Sequence, residues 1–198
     1  MVYSRIIDGK TYTFGVSGLL HKSNLLLYDH QTDTLWSQLK EMAIAGPLVG
    51  KELTKIRSSE TKWKDWKKRN PETLVLSTDT GYDRDYSVDP YEGYLRIGGL
   101  MFPVGDVRRD LPTKQRVLGI RINDTAKAYS LQDLQKQPGL LKDTVGGETI
   151  EIEISKDGEV TEIRDSKGNA INGVFSYWFA WQAFHPDTEV YRPEEKQK

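Results

Sequence analysis

Four aspartates crowd one stretch of the chain, Asp79, Asp83, Asp85 and Asp89, among Tyr82, Tyr86 and Tyr91, with Arg84 between two of them. Carboxylates this dense are a candidate cradle for calcium. The spacing departs from the helix–loop–helix calcium pattern, which needs a central glycine and a terminal glutamate. Turn hydrogen bonds and a solvated ion-pair cluster account for the same residues. We therefore read Asp79, Tyr82, Asp83, Arg84, Asp85 and Tyr86 as a candidate binding loop and assign no metal to it.

Other chemistry is thinner. There is no cysteine, which excludes thiolate catalysis, disulfides and Cys-ligated metals within these residues. His21, His30 and His185 are the only histidines. No two of them have the i, i+4 spacing of a helical metal site. Ser17 in Gly15-Val16-Ser17-Gly18 approaches a nucleophile elbow, but Leu19 stands where the second glycine belongs. Gly46–Lys51 is one residue short of a phosphate loop, and Glu52 replaces the hydroxyl that would hold magnesium. Lys62, Lys64, Lys67, Lys68 and Arg69 interleave with Trp63 and Trp66, a pattern seen where bases stack beside cations. A solvated basic face on a packed helix explains it as well. No catalytic residue, cofactor or metal is assigned.

The elements that must position these residues are mostly short strands. Val2–Ile7 and Thr11–Val16 flank Asp8-Gly9, a dipeptide suited to a tight primed turn. Asn24–Tyr28 and Thr34–Trp36 form a second strand pair, and Ala43–Ala45 runs into Gly46-Pro47. Ser59–Arg69 reads as a helix capped by Ser59 and stopped before Pro71. Leu74–Leu76 is strand-like, and 77–116 is irregular. A second block opens with a hairpin, Val117–Ile122 and Ala126–Tyr129, turning at Asn123-Asp124. Ser130 then caps a helix at Leu131–Lys136. Thr149–Ile154 alternates Ile with Glu and turns at Asp157-Gly158 into Val160–Arg164. Gly173–Phe184 reads as one helix. The class is α+β, β-rich, with short antiparallel strands and hairpins.

Two segments repeat at an offset of 115 residues: Trp63-Lys64-Asp65-Trp66 with Pro71-Glu72-Thr73-Leu74-Val75, and Trp178-Phe179-Ala180-Trp181 with Pro186-Asp187-Thr188-Glu189-Val190. The shared pattern is W-x-x-W-x-x-x-x-P-[ED]-T-x-V. It uses four of the five tryptophans. It reads as a helix with two indoles on one face, a proline stop and a strand. The second copy lacks cations, so the common feature is the indole pair, which argues for packing and against nucleic acid. Two Trp-bearing helices bracing a duplicated core divide the chain into a first half at 1–103, a linker at 104–116 and a second half at 117–198.

Phe14–Leu20 (FGVSGLL), Ser23–Gln38 (SNLLLYDHQTDTLWSQ), Ala43–Leu48 (AIAGPL), Leu76–Tyr86 (LSTDTGYDRDY) and Trp178–Tyr191 (WFAWQAFHPDTEVY) resemble the bacterial and archaeal domain-of-unknown-function family 3179. The resemblance runs nearly end to end and implies no established activity. It does imply a further stretch before the equivalent of Val2, ending in a C-P-L-C-G-like motif with selenocysteine at one position in some members. Val117–Ile154 also resembles that stretch. The expectation is a frame shortened at a UGA codon, and a scaffold whose thiol or selenol chemistry lies upstream of Met1. Ser17, Asn24 and Asp29, next to that motif, are then the candidate pocket. This reading places Met1 and Val2 beside Gly15–Gly18. The alternative is a module binding a small ligand, glycan or peptide through residues 79–94, which requires the Tyr rings to be exposed together.

The net charge of −1 gives no general attraction to polyanions. No stretch approaches the ~18 apolar residues of a membrane span. The opening MVYSRIIDGKTYTF has neither the basic start nor the apolar core of a signal peptide. Compartment and partner are left open.

Overall fold

The computed structural model describes residues 1–58 and 60–193. They form two compact units, Met1–Ser59 with Phe102–Lys198, and Glu60–Met101. Residues 60–101, which the repeat places in the first half of the chain, form a unit of their own. The helix cap expected at Ser59 lies outside the described residues.

In the first unit, Asp8 and Gly9 both take positive φ, 48° and 74°. They join β1 (Ile6–Ile7) to β2 (Lys10–Thr11) in a two-residue turn. The strand expected from Val2 is shorter because Val2 and Tyr3 pair elsewhere. Tyr3 bridges Lys55, and Ile56 N–H donates to Val2 O. Next, β3 (Phe14–His21), β4 (Asn24–Asp29), β5 (Leu35–Ser37) and β6 (Met42–Ala45) lie side by side in sequence order, all antiparallel. Trp36, Ala43, Ile7, Tyr12 and Leu53 are buried together against this sheet.

The second unit contains α1 (Trp63–Arg69) and α2 (Glu92–Arg96) and no strand ladder among its described residues. Leu74–Leu76, expected as a strand, has no neighbour to pair with and is exposed. The irregular stretch after it contains α2, a single short helix the pattern did not show.

The first unit resumes with β7 (Arg116–Ile122), β8 (Thr125–Ser130), α3 (Leu131–Gln135), β9 (Gly139–Val145), β10 (Glu148–Ile154), β11 (Val160–Asp165), β12 (Val174–Tyr177), α4 (Trp178–Phe184) and β13 (Glu189–Val190). One sheet runs β12-β7-β8-β13, with β13 parallel to β8; the other runs β11-β10-β9. The alternation at Ile150, Ile152 and Ile154 buries those side chains with Leu118, Ile120, Tyr129 and Leu134. Ser130 Oγ accepts the Asp133 N–H at the start of α3, as its sequence position predicts.

The expected helix Gly173–Phe184 is in fact a strand followed by a helix. Val174–Tyr177 pairs antiparallel with Gly119–Arg116, and the change to helix follows at Trp178, whose N–H donates to Gln115 O. The segment 104–116 hydrogen-bonds to the helix α4 and the turn after it. Arg108 donates to the carbonyls of Pro186 and Thr188, at 2.8 Å each, and its own carbonyl accepts Trp178 Nε1–H at 2.9 Å. It straps down the turn that follows α4.

The two Trp helices match in local geometry. Both run seven residues. Both end at a residue of nearly the same conformation, Asn70 at φ −133°, ψ 71° and His185 at φ −129°, ψ 70°. In each, the second indole N–H donates to the threonine seven residues on: Trp66 to Thr73 and Trp181 to Thr188, both at 2.9 Å. Their surroundings differ. Trp178 and Trp181 are 0% and 2% exposed, whereas Trp63 and Trp66 are 47% and 39% exposed. The expectation that both indole pairs brace a core is corrected: α4 is a core helix, and α1 shows its indoles to solvent.

Candidate functional site

Ser17, Asn24 and Asp29 do not converge. Ser17 sits at a bulge in β3, where the register with β4 shifts between Val16 and Leu20 and Gly18 takes φ 74°. Its hydroxyl donates to Leu26 O at 2.6 Å and accepts Leu19 N–H at 3.1 Å, so both its roles stitch the bulge. Asn24 and Asp29 lie five positions apart on β4 and so point to opposite faces. The Oδ1 of Asn24 is buried without a hydrogen-bond partner, the one unspent group of the three.

Asp29 is fully buried. Its carboxylate accepts Trp36 Nε1–H at 2.8 Å, Thr32 N–H at 2.7 Å, Gln31 N–H at 3.2 Å and the Thr32 hydroxyl. Burial pushes its pKa up, but the indole, hydroxyl and backbone donors outweigh burial and hold it below the usual carboxylate value. A carboxylate so occupied fixes the turn between β4 and β5 and has no lone pair directed at a reactant.

Met1 and Val2 line a concavity to which Gly15–Gly18 do not contribute. The concavity they line is shared with Tyr3, Lys55, Ile56 and Asn172.

The histidines pack against aromatic rings. His21 meets Phe184 edge-on at 5.6 Å, His30 meets Tyr28 at 4.8 Å, and His185 lies 4.0 Å from the Trp181 ring. Burial, with Arg121 and Lys55 adding to it, lowers the His185 pKa to about 4. Among the described residues, no group of three His, Cys, Asp or Glu side chains could hold a metal ion. No helix among them is long and apolar enough to cross a membrane.

The remaining candidate is the loop. Asp79, Tyr82, Asp83, Arg84, Asp85 and Tyr86 are all exposed. Several of its polar groups close local turns. Asp85 Oδ1 accepts the Ser87 N–H and hydroxyl at 2.9 and 2.6 Å, which lowers the Asp85 pKa, and Asp89 Oδ1 accepts Tyr91 N–H at 2.8 Å. Tyr86 and Thr80 share a hydroxyl–hydroxyl bond of 2.7 Å, and the Arg84 guanidinium lies 5.8 Å from the Tyr82 ring centre. The loop therefore holds a shape, and what it presents outward is ring surface. Tyr82 is 73% exposed, with Tyr86 and Tyr91 also open. Close by in sequence, Leu74 and Leu76 are each 95% exposed, and Val75, Val88, Ile97 and Met101 are exposed as well. These exposed apolar side chains all fall within one short segment, residues 74–101.

Sequence reasoning found the loop but missed the aliphatic residues beside it. Their signal was Leu74–Leu76, an apolar run with no strand partner nearby in sequence. Reasoning also missed the Tyr129–Asp143–Lys127 network, in which Asp143 Oδ2 accepts the buried Tyr129 hydroxyl and pairs with Lys127, both at 2.7 Å. Burial, reinforced by the hydrogen bond to Asp143, raises the Tyr129 pKa. The group holds its proton and ties β8 to β9.

The molecule is thus a β-rich α+β protein with three buried hydrophobic clusters in its larger unit and an exposed aromatic and aliphatic segment. The family model for a protein of unknown function, DUF3179, matches residues 1–188, and the chain belongs to that family. No curated protein and no solved structure matches it.

Proposed function

We propose that this chain is a binding module that engages a polypeptide through residues 60–101. One observation carries the reading: Tyr82, Tyr86 and Tyr91 are each exposed, in the same segment as the exposed Leu74 and Leu76. The Tyr and Asp residues alone would suit a glycan, whose hydroxyls need acceptors and whose ring faces stack on aromatics. The aliphatic residues favour a polypeptide, because only apolar side chains reward their burial, at roughly 1.5–3 kcal/mol for each large side chain covered. The reading of the body as a cradle for upstream thiol or selenol chemistry ranks second, since Ser17 and Asp29 are spent on internal bonds and Met1 lies by another concavity.

The test is a random peptide library selected on the full chain, with a glycan array run in parallel. Selected peptides should lose at least tenfold in affinity for a Tyr82→Ser, Leu74→Ser, Leu76→Ser variant. Enrichment of glycans alone, or peptides indifferent to the variant, would refute the proposal.

A further inference from the structure

We infer that the Trp63/Trp66 face of α1, continued by Leu74–Leu76, docks an acidic β-hairpin that sets a glycine against Trp66. The inference rests on the reading of residues 60–101 as a polypeptide-binding surface and names the partner's form.

The argument comes from α4, which shows how this helix and turn are covered. Trp181 lies so close over Gly119 in β7 that a Cβ at that position would be 2.3 Å from the ring. Only glycine admits the indole there. Val117, Ala126 and Ala128, from the same hairpin, pack with Trp178 and Trp181. Past Pro186 the chain adds itself to β8 as a parallel strand, with Glu189 opposite Lys127, Val190 opposite Ala128, and Tyr191 N–H donating to Ala128 O. One hairpin, β7–β8, thus covers the indoles and supplies an edge for the strand after them.

At α1 the helix and turn of that arrangement are already made, and the strand after them is not. The helix length, the final-residue conformation and the Trp66–Thr73 bond all match, and Thr73 N–H donates to Asn70 O as Thr188 N–H does to His185 O. Leu74, Val75 and Leu76 occupy the places of Glu189, Val190 and Tyr191. A preformed shape loses little conformational freedom on docking.

The differences specify the occupant. Where α4 has Phe179, Gln182 and Ala183 buried, α1 has Lys64, Lys67 and Lys68. So α1 is suited to cover on its indole side alone, with a cationic outer face. Its Lys64, Lys67, Lys68 and Arg69 against Asp65 give the helix a charge of +3. A partner with carboxylates along its rim complements that charge. A second copy of this chain does not supply the seat, because β7 and β8 already carry β12 and β13 on their outer edges.

The probe is a cyclised peptide with the sequence of Arg116–Ser130, carrying Arg121→Glu and Lys127→Glu at the rim and Leu118→Thr and Ile120→Thr on the opposite face for solubility. Circular dichroism checks that it is a hairpin, and it contains no tryptophan. Added to the full chain, it should shift the exposed indoles' emission to the blue and slow amide exchange at Leu74–Leu76 at least tenfold. Affinity should fall at least tenfold for the same peptide with Gly119→Leu, and for the chain with Trp66→Ala. Restoring arginine at 121 should weaken binding several-fold, and less so as salt rises. A folded hairpin that leaves the emission unmoved, or a Gly119→Leu peptide that binds equally well, overturns the inference. Self-association abolished by Trp66→Ala overturns it in favour of a second copy. If library peptides bind and the hairpin does not, the polypeptide-binding reading stands and this one falls.

Discussion

Trp181→Ala and Trp66→Ala delete the same side chain from the same local motif, and their costs should differ several-fold. Trp181 is 2% exposed, pressed on Gly119 and bonded to Thr188, itself buried. Truncating a core tryptophan costs about 3–5 kcal/mol in lost transfer energy and cavity formation. Thr188 Oγ1 keeps its donation to Glu189 O but loses the bond it accepts, which adds about 1 kcal/mol. Trp66 is 39% exposed, and its bond to Thr73 competes with water. Its site can collapse or hydrate, so its removal should cost about 1 kcal/mol or less. Urea unfolding followed by far-ultraviolet circular dichroism reads the difference. With a slope of about 2 kcal/mol per molar urea, Trp181→Ala moves the midpoint down by about 2–3 M and Trp66→Ala by under about 0.5 M. Equal shifts would refute the claim that one copy is core and the other is surface, and with it the docking argument.

Two further outcomes follow from buried titratable groups. Asp29→Asn should destabilise the body by about 1.5–3 kcal/mol, because a charged acceptor of four donors becomes an amide with one oxygen. Since the folded-state pKa of Asp29 is lowered, its contribution is complete above the ordinary carboxylate value and is lost as pH falls through the folded value, so the variant's stability curve should be flatter on the acid side. The pKa of His185 is lowered from 6.5 to about 4 in the folded state, so the unfolded chain takes up the proton first and stability falls as pH drops from 6.5 towards 4. His185→Asn, which installs the residue found at position 70, should remove that slope; an unchanged slope in chemical denaturation at several pH values would place it elsewhere.

What could be read from the residues was local. Asp8-Gly9, Asn123-Asp124 and Asp157-Gly158 announced turns because few residues tolerate positive φ, and Asp8, Gly9, Asn123 and Gly158 indeed adopt it. The Trp–Thr motif announced two like helix ends for the same reason: its bonds span only seven residues. Burial was not legible, since the cover over α4 comes from β7–β8, far back along the chain. The boundary between β12 and α4 was hidden because Val174–Phe184 is apolar or aromatic except at Ser176 and Gln182, so neither a period of two nor one of 3.6 stands out. β9 was hidden by mixed polarity, Lys142 and Asp143 both facing partners: Glu151 for the first, Lys127 and Tyr129 for the second. At the candidate site, the loop residues were visible as a composition. The role of Asp29 was not, because Trp36 reaches it only once β4 and β5 have paired.

The ammonium of Lys22, at the tip of the turn between β3 and β4, donates to the carbonyl of Ala183 near the end of α4, 161 residues away at 2.6 Å. During synthesis the early four-stranded sheet can zip up as it leaves the ribosome, because its pairings are between neighbours. That lysine's acceptor emerges 161 residues later. Closure of so long a loop is slow, and the nascent chain meanwhile carries an apolar sheet without its final clasp, the interval in which chaperones and premature self-association compete for it.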